Sequence, residues 1–278
     1  MRTPEVYWIL GSLLAVLCIA SLVSFELKRR RPSHPLIDNV NARIRAWWVL
    51  VVVGGGALLI GTPAVIALFA YVSFAALREY VRDCPPVLLL TIPLQYGLLA
   101  LGFNEPFLLI IAALWLYGRR EQAGGVFVCV YCLSHVPALM MGPFPLLAFF
   151  VVLIAQGSDV LQFLSGKALG RHPVAPSISP SKTMEGLVGG VACATALGAL
   201  LWRITPFSPS GAAAMAFLIA ILGFIGGLIL SAIKRRRGLK DWSGLIQGHG
   251  GMLDRVDSLW LSAPVIFHLT HSLVSQPR

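Results

Sequence analysis

Residues 211–233 read GAAAMAFLIAILGFIGGLILSAI, an uninterrupted run without a charged side chain. The hydrocarbon core of a bilayer is about 30 Å thick, so a helix needs roughly 20 apolar residues to cross it. Residues 8–25, WILGSLLAVLCIASLVSF, have the same character near the N-terminus. Across all 278 residues, 57% are hydrophobic and only 12% are charged, about half the charged share of a soluble protein. These features argue against a soluble protein and predict an integral membrane protein.

Ten segments of this kind can be placed along the chain. They are 6–26, 46–60, 63–80, 87–102, 105–118, 125–141, 145–164, 187–203, 212–232 and 258–274. GTP (61–63), NEP (104–106) and MMGPFP (140–145) interrupt otherwise continuous runs, because proline and glycine end helices or form turns. We therefore predict the all-α class, a polytopic membrane helix bundle of about ten transmembrane helices. Nine is the alternative, since segments 46–60 and 105–118 are short.

Basic residues mark every second loop between these segments. These loops hold 19 of the 22 lysines and arginines, and they are 27–45, 78–86, 119–124, 165–186 and 233–257. Since positive loops stay in the cytoplasm, the alternation predicts ten helices with both termini outside. KRRR (28–31) follows the first apolar run instead of preceding it, so we expect a retained span and not a signal peptide. The net charge of +10 then reflects topology and attraction to anionic lipid, not nucleic-acid binding.

The five cysteines do not predict a disulfide framework, because the count is odd and four of them lie inside apolar runs. Cys129 and Cys132 form a C-x-x-C pair, a spacing that also occurs in metal and redox sites. Both lie inside a long apolar run. We therefore predict a packing role for this pair.

The loop 231–258, SAIKRRRGLKDWSGLIQGHGGMLDRVDS, is more polar than topology requires. A charge at the bilayer centre costs roughly 2.5–3.5 kcal/mol even on a lenient scale. Its six basic and three acidic residues therefore place it outside lipid or along a wet cavity. Asp254 and Asp257 are three positions apart, and they share one face if the last helix begins near Gly251. Converging carboxylates bind Mg²⁺, with substrate phosphates completing the coordination.

GHGG (248–251) precedes these aspartates and carries no bulky side chain except His249. Glycines let backbone N–H groups approach a ligand, and a helix N-terminus favours phosphate. Four basic residues nearby add positive charge: Lys234, Arg235, Lys240 and Arg255. We therefore predict a phosphate-and-metal site at the membrane surface. For Arg236 and Arg237 we prefer the simpler interpretation of solvated topological anchors.

A second polar loop, QGSDVLQFLSGKALGRHPVAPSISPSKTMEG, occupies residues 156–186. Asp159 lies near the cytoplasmic end of a helix, and an acid within a membrane is a functional candidate by default. Pairing with a neighbouring basic residue is the alternative. Lys182 either steers phosphate or anchors its helix. Three glycines begin the following span: Gly186, Gly189 and Gly190. We predict that they allow close helix packing.

The two loops together resemble the signature of phosphatidate cytidylyltransferases, also called CDP-diacylglycerol synthases. That pattern runs S-x-x-K-R, four residues, K-D, and later P-G-H-G-G-x-x-D-R-x-D. The later loop matches it at Ser231, Lys234, Arg235, Lys240, Asp241, Gly248, His249, Gly250, Gly251, Asp254, Arg255 and Asp257. The earlier loop matches the family's second block at Asp159, Gly166, Lys167, Ser179, Pro180, Lys182, Thr183, Glu185 and Gly186. We accordingly divide the single membrane domain 1–278 into N-terminal helices 1–150 and a catalytic half 151–278.

Two positions depart from this pattern. Gln247 replaces a proline, which changes the rigidity of a turn. Gly226 and Gly227 stand where the family usually has a Gly-Asp pair four residues before the serine. The resemblance implies that the missing aspartate is a metal ligand. Either the remaining aspartates suffice, or the substrate differs, or the enzyme is impaired.

The resemblance implies the reaction CTP + phosphatidate → CDP-diacylglycerol + pyrophosphate. Mg²⁺ is the implied cofactor, and its expected ligands are Asp254, Asp257, Asp159 and Asp241. Substrate binding is expected from Lys167, Ser179, Lys234, Arg235, Gly248, Gly250 and Gly251. Catalytic roles are expected for Lys182, Lys240, His249 and Arg255. No general base is needed, because the attacking phosphate is already ionised.

Three alternatives remain. One is a CTP-dependent lipid-alcohol kinase or a cytidylyltransferase for another lipid phosphate. The second is a transporter for an anionic substrate, and the third is a catalytically impaired homologue. The expected partners are CTP and phosphatidate, with no nucleic acid, and a homodimer is left open. We expect a multi-pass protein of the bacterial inner (plasma) membrane, with its active site facing the cytoplasm.

Overall fold

The computed structural model describes residues 4–30, 35–244 and 250–274, and these are almost entirely helical. The helices are α1 (Pro4–Arg30), α2 (Pro35–Ile60), α3 (Thr62–Tyr80), α4 (Pro86–Leu89), α5 (Thr91–Ala100), α6 (Phe107–Leu116), α7 (Arg120–Val126), α8 (Leu133–Met141), α9 (Leu146–Leu169), α10 (Met184–Leu200), α11 (Pro209–Arg236) and α12 (Leu259–Val274). A π-helical segment, Phe127–Cys132, joins α7 to α8, and a 3₁₀ turn, Trp202–Ile204, follows α10. Two strands, β1 (Pro173–Ala175) and β2 (Ser179–Thr183), lie between α9 and α10.

Six helical segments within the described residues are long and apolar enough to cross a membrane. They are Leu10–Arg30, Val40–Ile60, Thr62–Tyr80, Arg120–Met141, Leu146–Leu169 and Pro209–Arg236. Three shorter apolar segments accompany them: Pro86–Ala100, Phe107–Leu116 and Met184–Leu200. The predicted helical, multi-pass membrane architecture is confirmed. The count of ten spans stays a prediction.

The three predicted breaks between spans lie where helices end. Helix α2 ends at Ile60 and α3 begins at Thr62, with Gly61 between them at a φ of 122°, a conformation that favours glycine. NEP falls between α5 and α6, and MMGPFP covers the last two residues of α8 and the break before α9. The helix-breaking residues therefore divide the apolar sequence as predicted.

Glycines bring α9 and α10 into close contact. A β-carbon added at Gly190 would overlap the Gln162 side chain, and one added at Gly186 would lie 2.7 Å from the Gln162 carbonyl oxygen. A β-carbon at Gly189 would lie 2.8 Å from Ser165 Oγ. The predicted role of these glycines in helix packing is confirmed. This packing holds the α9 surface that carries Asp159 beside the start of α10.

A small antiparallel hairpin interrupts the helical fold. Strand β1 pairs with β2, with Pro173 opposite Thr183. The all-α class stands, but the sequence does not predict this hairpin, because two short proline-containing strands carry little of the alternation that identifies a strand. The Gly186 N–H donates to Thr183 Oγ1 at 3.1 Å and so starts α10 directly after β2. The hairpin thereby fixes the position of Lys182.

The base of the hairpin is held by Glu185. Its carboxylate accepts hydrogen bonds from the backbone N–H of Arg171 at 3.0 Å and from His172 Nδ1 at 2.5 Å. These two bonds lower the pKa of the Glu185 carboxyl to about 2. An ionised glutamate at the first turn of α10 also suits the helix dipole.

Among the six long apolar segments, Arg120–Met141 is the most enclosed, with 83% of its most apolar 18 residues buried. Cys129 and Cys132 lie inside it, both buried and both free thiols. The prediction that this C-x-x-C pair serves packing is confirmed.

Candidate functional site

The last signature residues form a series of turns and not the first turns of a helix. The N–H of Arg255 donates to the Met252 carbonyl, and the N–H of Leu259 donates to the Val256 carbonyl, each at 2.9 Å. Helix α12 begins only at Leu259. The expectation that the last helix begins near Gly251 is wrong, so Asp254 and Asp257 do not share a helix face. We call residues 250–258 the signature turn.

Asp254 is the central acceptor of the signature turn. Its Oδ1 accepts from Lys234 Nζ at 2.5 Å, while its Oδ2 accepts from the N–H groups of Trp242 at 3.0 Å and Gly251 at 2.9 Å. The Lys234 and Asp254 side chains are each only 11% exposed. This pair ties the end of α11 to the signature turn, so Asp254 has a structural task. Its role as a metal ligand stays a prediction.

The two described glycines of GHGG are needed because carboxylates approach the backbone. Gly250 has a φ of 77°, and a β-carbon there would lie 2.5 Å from Asp254 Oδ2. A β-carbon at Gly251 would overlap the Glu79 carboxylate. Within the described residues, the groups beside these glycines are therefore the protein's own acids. Phosphate binding by the GHGG backbone remains a prediction.

Glu79 is a site residue that sequence reasoning missed. Its carboxylate accepts from the N–H groups of Met252 at 2.9 Å and Leu253 at 2.8 Å, and from Ser243 Oγ at 2.7 Å. It belongs to the last turn of α3. This helix lies in the N-terminal half of the chain, where the sequence predicts no site residue. The sequence holds one signal for Glu79. An acid in the last turn of a helix is unfavourable next to the negative end of the helix dipole, so its presence there suggests a specific hydrogen-bonding role.

Asp257 faces a different environment from that of Asp254. A β-carbon added at Gly227 would lie 2.8 Å from Lys182 Nζ and 3.5 Å from Asp257 Oδ2. Burial raises the pKa of Asp257 and Asp159 raises it further, while Lys182 and Lys234 lower it. Four charged side chains from α9, β2, α11 and the signature turn therefore converge. We call Asp159, Lys182, Lys234 and Asp257 the Asp257 cluster.

The Lys182 ammonium lies in the space beside Gly227. Its Nζ is 4.7 Å from the centroid of the Phe224 ring, close enough for a cation–π contact. A side chain at position 227 would meet this ammonium group first. The departure at Gly227 thus has a physical counterpart, because a lysine takes up the room that an aspartate there would need.

Mg²⁺ binding by the four predicted aspartates stays a prediction. No group of three or more His, Cys, Asp or Glu side chains suited to a metal occurs among residues 4–30, 35–244 and 250–274. Asp241 is exposed, and both oxygens of Asp254 are bonded within the protein. Asp159 and Asp257 lie close enough to interact electrostatically, and Mg²⁺ is usually held by one or two carboxylates together with substrate phosphates.

Two other predicted residues, Arg235 and Arg255, link the segments that surround the cluster. Arg235 donates from Nε to the Ile178 carbonyl and from Nη1 to the Leu239 carbonyl, each at 3.1 Å, so it links α11 to the hairpin. The carbonyl of Arg255 accepts from Gln156 Nε2 at 2.8 Å, which ties the signature turn to α9.

Lys167, Lys240 and Ser179 are not joined to the Asp257 cluster by a hydrogen bond or ion pair in the part of the chain that the structure describes. Lys167 is exposed and its Nζ lies 6.0 Å from the Phe163 ring centroid. Lys240 is also exposed, and Ser179 begins β2. Gly248 and His249 lie outside the described residues, so their predicted roles stay predictions.

Known proteins resemble this chain over between half and nearly all of its length. A profile described as Cytidylyltransferase family matches residues 41–273. Uncharacterized protein YnbB of Escherichia coli (strain K12) is 37% identical over 294 aligned positions, covering 93% of this chain and 96% of that protein. Phosphatidate cytidylyltransferase of Brucella abortus biovar 1 is 33% identical over 187 positions, covering 65% and 68%. The protein of the same name from Pseudomonas aeruginosa is 38% identical over 155 positions, covering 54% and 57%.

Proposed function

Since this chain belongs to the cytidylyltransferase family, we propose that it transfers the cytidylyl group of CTP to the phosphate of phosphatidate. The products are CDP-diacylglycerol and pyrophosphate. The Asp257 cluster is the observation that supports this most, because two carboxylates and two ammonium groups meet there from four separate segments. Charge is expensive to collect in a membrane protein and marks a functional site.

The chemistry requires charge neutralisation more than proton transfer. A phosphate oxygen of phosphatidate attacks the α-phosphorus of CTP, and the bond from that phosphorus to the bridging pyrophosphate oxygen breaks. The attacking oxygen is ionised at neutral pH, so no general base takes part. The protein must hold two phosphate groups together against their repulsion. Lys182 and Lys234 supply the positive charge for this within the cluster.

Asp159 and Asp257 are the residues that we assign to Mg²⁺. They would hold the ion, which would supply positive charge for the phosphate oxygens and the leaving pyrophosphate. Lys182 adds a fixed positive charge beside Gly227, which suits a phosphate oxygen but does not replace the acid that the family usually has there as a metal ligand. Asp254 and Glu79 would position Asp257 indirectly, because they accept hydrogen bonds from the backbone of the signature turn that carries it.

We place the site on the cytoplasmic side of a bacterial inner membrane. Positive loops stay in the cytoplasm, and the loops that supply the Asp257 cluster are among the most basic in the chain. CTP is a soluble cytoplasmic nucleotide, so this side also gives it access. Phosphatidate would reach the same site laterally from the bilayer.

A cytidylyltransferase for another lipid phosphate is the second candidate, and Gly227 favours it. The ammonium group of Lys182 lies where an acid at position 227 would project, so the cluster differs in charge from the family pattern. A different balance of cation and carboxylate suits a lipid phosphate of different charge or size. Under this candidate the cytidylyl transfer is the same and only the acceptor changes.

The experiment uses the purified full chain in detergent with phosphatidate, Mg²⁺ and CTP labelled in the cytidine. Wild-type protein is expected to place the cytidine label on the lipid. Asp257→Asn is expected to reduce this by about 100-fold, the upper range for losing a group that supports a metal site. The readout is label in the lipid fraction, resolved by chromatography.

Asp38→Asn is the matched control, because Asp38 is an exposed acid on α2 that pairs with the exposed Lys28 at 3.0 Å. It should leave the rate unchanged, since exposed ion pairs contribute little. Full activity of Asp257→Asn would contradict the assignment of the cluster. In a parallel incubation with CTP labelled in the γ-phosphate, transfer of that label to the lipid without transfer of cytidine would identify a kinase. Cytidine label only on a different added lipid phosphate would support the second candidate.

A further inference from the structure

A cavity of about 750 Å³ lies beside the signature turn, between the end of α3, α7 and the end of α11. This volume is within the range of small-molecule sites. Its lining includes Tyr71, Phe74, Arg78, Arg82, Arg237 and Trp242. These residues are not part of the Asp257 cluster, and the motif analysis assigned none of them to a site.

The α3 wall of the cavity changes from apolar to charged along the helix. Tyr71, Phe74 and Arg78 are spaced i, i+3 and i+7, so they lie on one face, and Arg82 follows just after the helix ends. Because α3 is long and apolar enough to span a membrane, its aromatic part lies at lipid depth and its arginines lie at the boundary. Tyr71 is 58% exposed, which leaves this face open to lipid.

The acids of the cavity are already bonded within the protein, and Arg78 makes a cation–π contact with the Phe74 ring, 5.6 Å from its centroid. Glu79 accepts three hydrogen bonds from the signature turn and Ser243. Glu121 pairs with Arg237 at 3.3 Å. Arg78 and Arg82 form no ion pair with a carboxylate among the residues that the structure describes. The uncompensated charge in the cavity is therefore positive, which suits an anionic group.

One layer of side chains separates the cavity from the signature turn. Trp242 stacks on Tyr80 with ring centroids 5.3 Å apart, and the Arg237 guanidinium lies over both rings. The backbone N–H of Trp242 donates to Asp254. A ligand in the cavity would therefore contact the same residues that hold the signature turn.

We propose that this cavity docks the phosphate-bearing headgroup of an anionic phospholipid. Arg78 and Arg82 bind the phosphate through charge-assisted hydrogen bonds, and the acyl chains lie along the exposed face of Tyr71 and Phe74. The identification of that lipid as phosphatidate rests on the proposed function. The recognition itself requires only an anionic headgroup at the lipid boundary.

The test measures binding without turnover. The full chain is reconstituted in nanodiscs of neutral phosphatidylcholine, phosphatidate is added in steps without CTP, and bound lipid is counted by native mass spectrometry. The double variant Arg78→Gln/Arg82→Gln is expected to bind phosphatidate about tenfold more weakly, since two guanidinium–phosphate contacts are lost. Arg236→Gln is the matched control, because Arg236 is an exposed arginine in the last turn of α11 outside the cavity lining, and it should bind as wild type does.

Two further arms separate the sources of phosphate. Glycerol 3-phosphate carries the headgroup without chains and should compete weakly, and CTP should bind equally to the wild type and the double variant. Unchanged phosphatidate binding in the double variant overturns the proposal, as does a selective loss of CTP binding. Arg78→Lys/Arg82→Lys, which keeps both charges, should recover part of the lipid binding if the double variant is folded.

Failure of the proposed function would look different from failure of this proposal. If the chain makes no CDP-lipid but the double variant still loses phosphatidate binding, the docking site stands and the enzymatic proposal fails. If CDP-lipid is made and the double variant binds phosphatidate at wild-type affinity, the docking proposal fails alone.

Discussion

Asp254 and Asp257 lie three residues apart in one turn, and they meet different surroundings. Asp254 accepts hydrogen bonds from Lys234 and from two backbone N–H groups. Asp257 lies near a second acid, Asp159, and two lysines. The first carboxylate is stabilised by donors, while the second is destabilised by burial and by a like charge. We infer that Asp254 holds the turn and Asp257 is kept for a ligand.

This difference shows why matched motif residues should not be given one role. A signature of two aspartates suggests a pair of equal ligands. In the structure, the hydrogen-bond partners of Asp254 indicate that it positions the turn, whereas the surroundings of Asp257 suggest that it binds a ligand. Groups held in unfavourable surroundings often mark function, because stability is lost where a ligand must bind.

The sharpest test of the comparison is the stability of two alanine variants. Asp254→Ala leaves the Lys234 ammonium, only 11% exposed in the pair, without its carboxylate, and breaking such a pair costs about 3 kcal/mol or more. Asp257→Ala removes the repulsion with Asp159 together with the attraction to Lys182 and Lys234, so its loss of stability should be smaller, at about 1 kcal/mol. Thermal unfolding in detergent measures both. Equal losses in the two variants would remove the distinction.

A smaller loss of stability is expected on substituting Glu79, which, like Asp254, accepts hydrogen bonds from the backbone of the signature turn. Glu79→Ala leaves the N–H groups of Met252 and Leu253 without their acceptor, at a cost of about 2 kcal/mol. Glu79→Gln keeps one acceptor oxygen and should recover part of both stability and turnover. The measurements are thermal unfolding and the separate kcat and KM for CTP.

Glu26→Ala serves as the control for Glu79, because Glu26 is an exposed acid that pairs with Arg30 four residues later. It should change neither quantity. A Glu79→Ala protein that unfolds and turns over like the wild type would show that the signature turn holds its shape without α3.

The smallest change, in activity alone, is expected on substituting Gly227, which lies beside Asp257 and Lys182. A β-carbon there meets the end of the flexible Lys182 side chain before any other atom, so both Gly227→Ala and Gly227→Asp should fold. Gly227→Asp adds an acid to the cluster and should raise Mg²⁺-dependent CDP-lipid formation by up to about tenfold. Gly227→Ala adds the same carbon without the charge and should not. Equal rates would show that the missing acid is not what limits this site.

The fold could be predicted where its cause is local in sequence. Apolar runs and proline or glycine breaks placed the helix ends near Gly61, and small residues predicted the contact of α10 with α9. The hairpin that carries Lys182 could not be predicted, because its strands are held by pairing and by Glu185 and not by a hydrophobic pattern.

The site could be predicted only in part for the same reason. The two motifs predict five of the residues at this site: Asp159, Lys182, Lys234, Asp254 and Asp257. The structure brings them near one another. The beginning of α12 was misplaced, because side-chain acceptors satisfy the N–H of Gly251 in a turn. Glu79 bonds to residues 173 and 174 positions later, and no spacing rule reaches so far along a chain.

The contact between Glu79 and the signature turn also has a consequence for biosynthesis. Glu79 leaves the ribosome well before Met252 and Leu253, which follow it by 173 and 174 positions. During the synthesis of the intervening residues this acid therefore lacks its donors. Fragments that stop before residue 252 would carry the α3 helix without the contact that holds the signature turn.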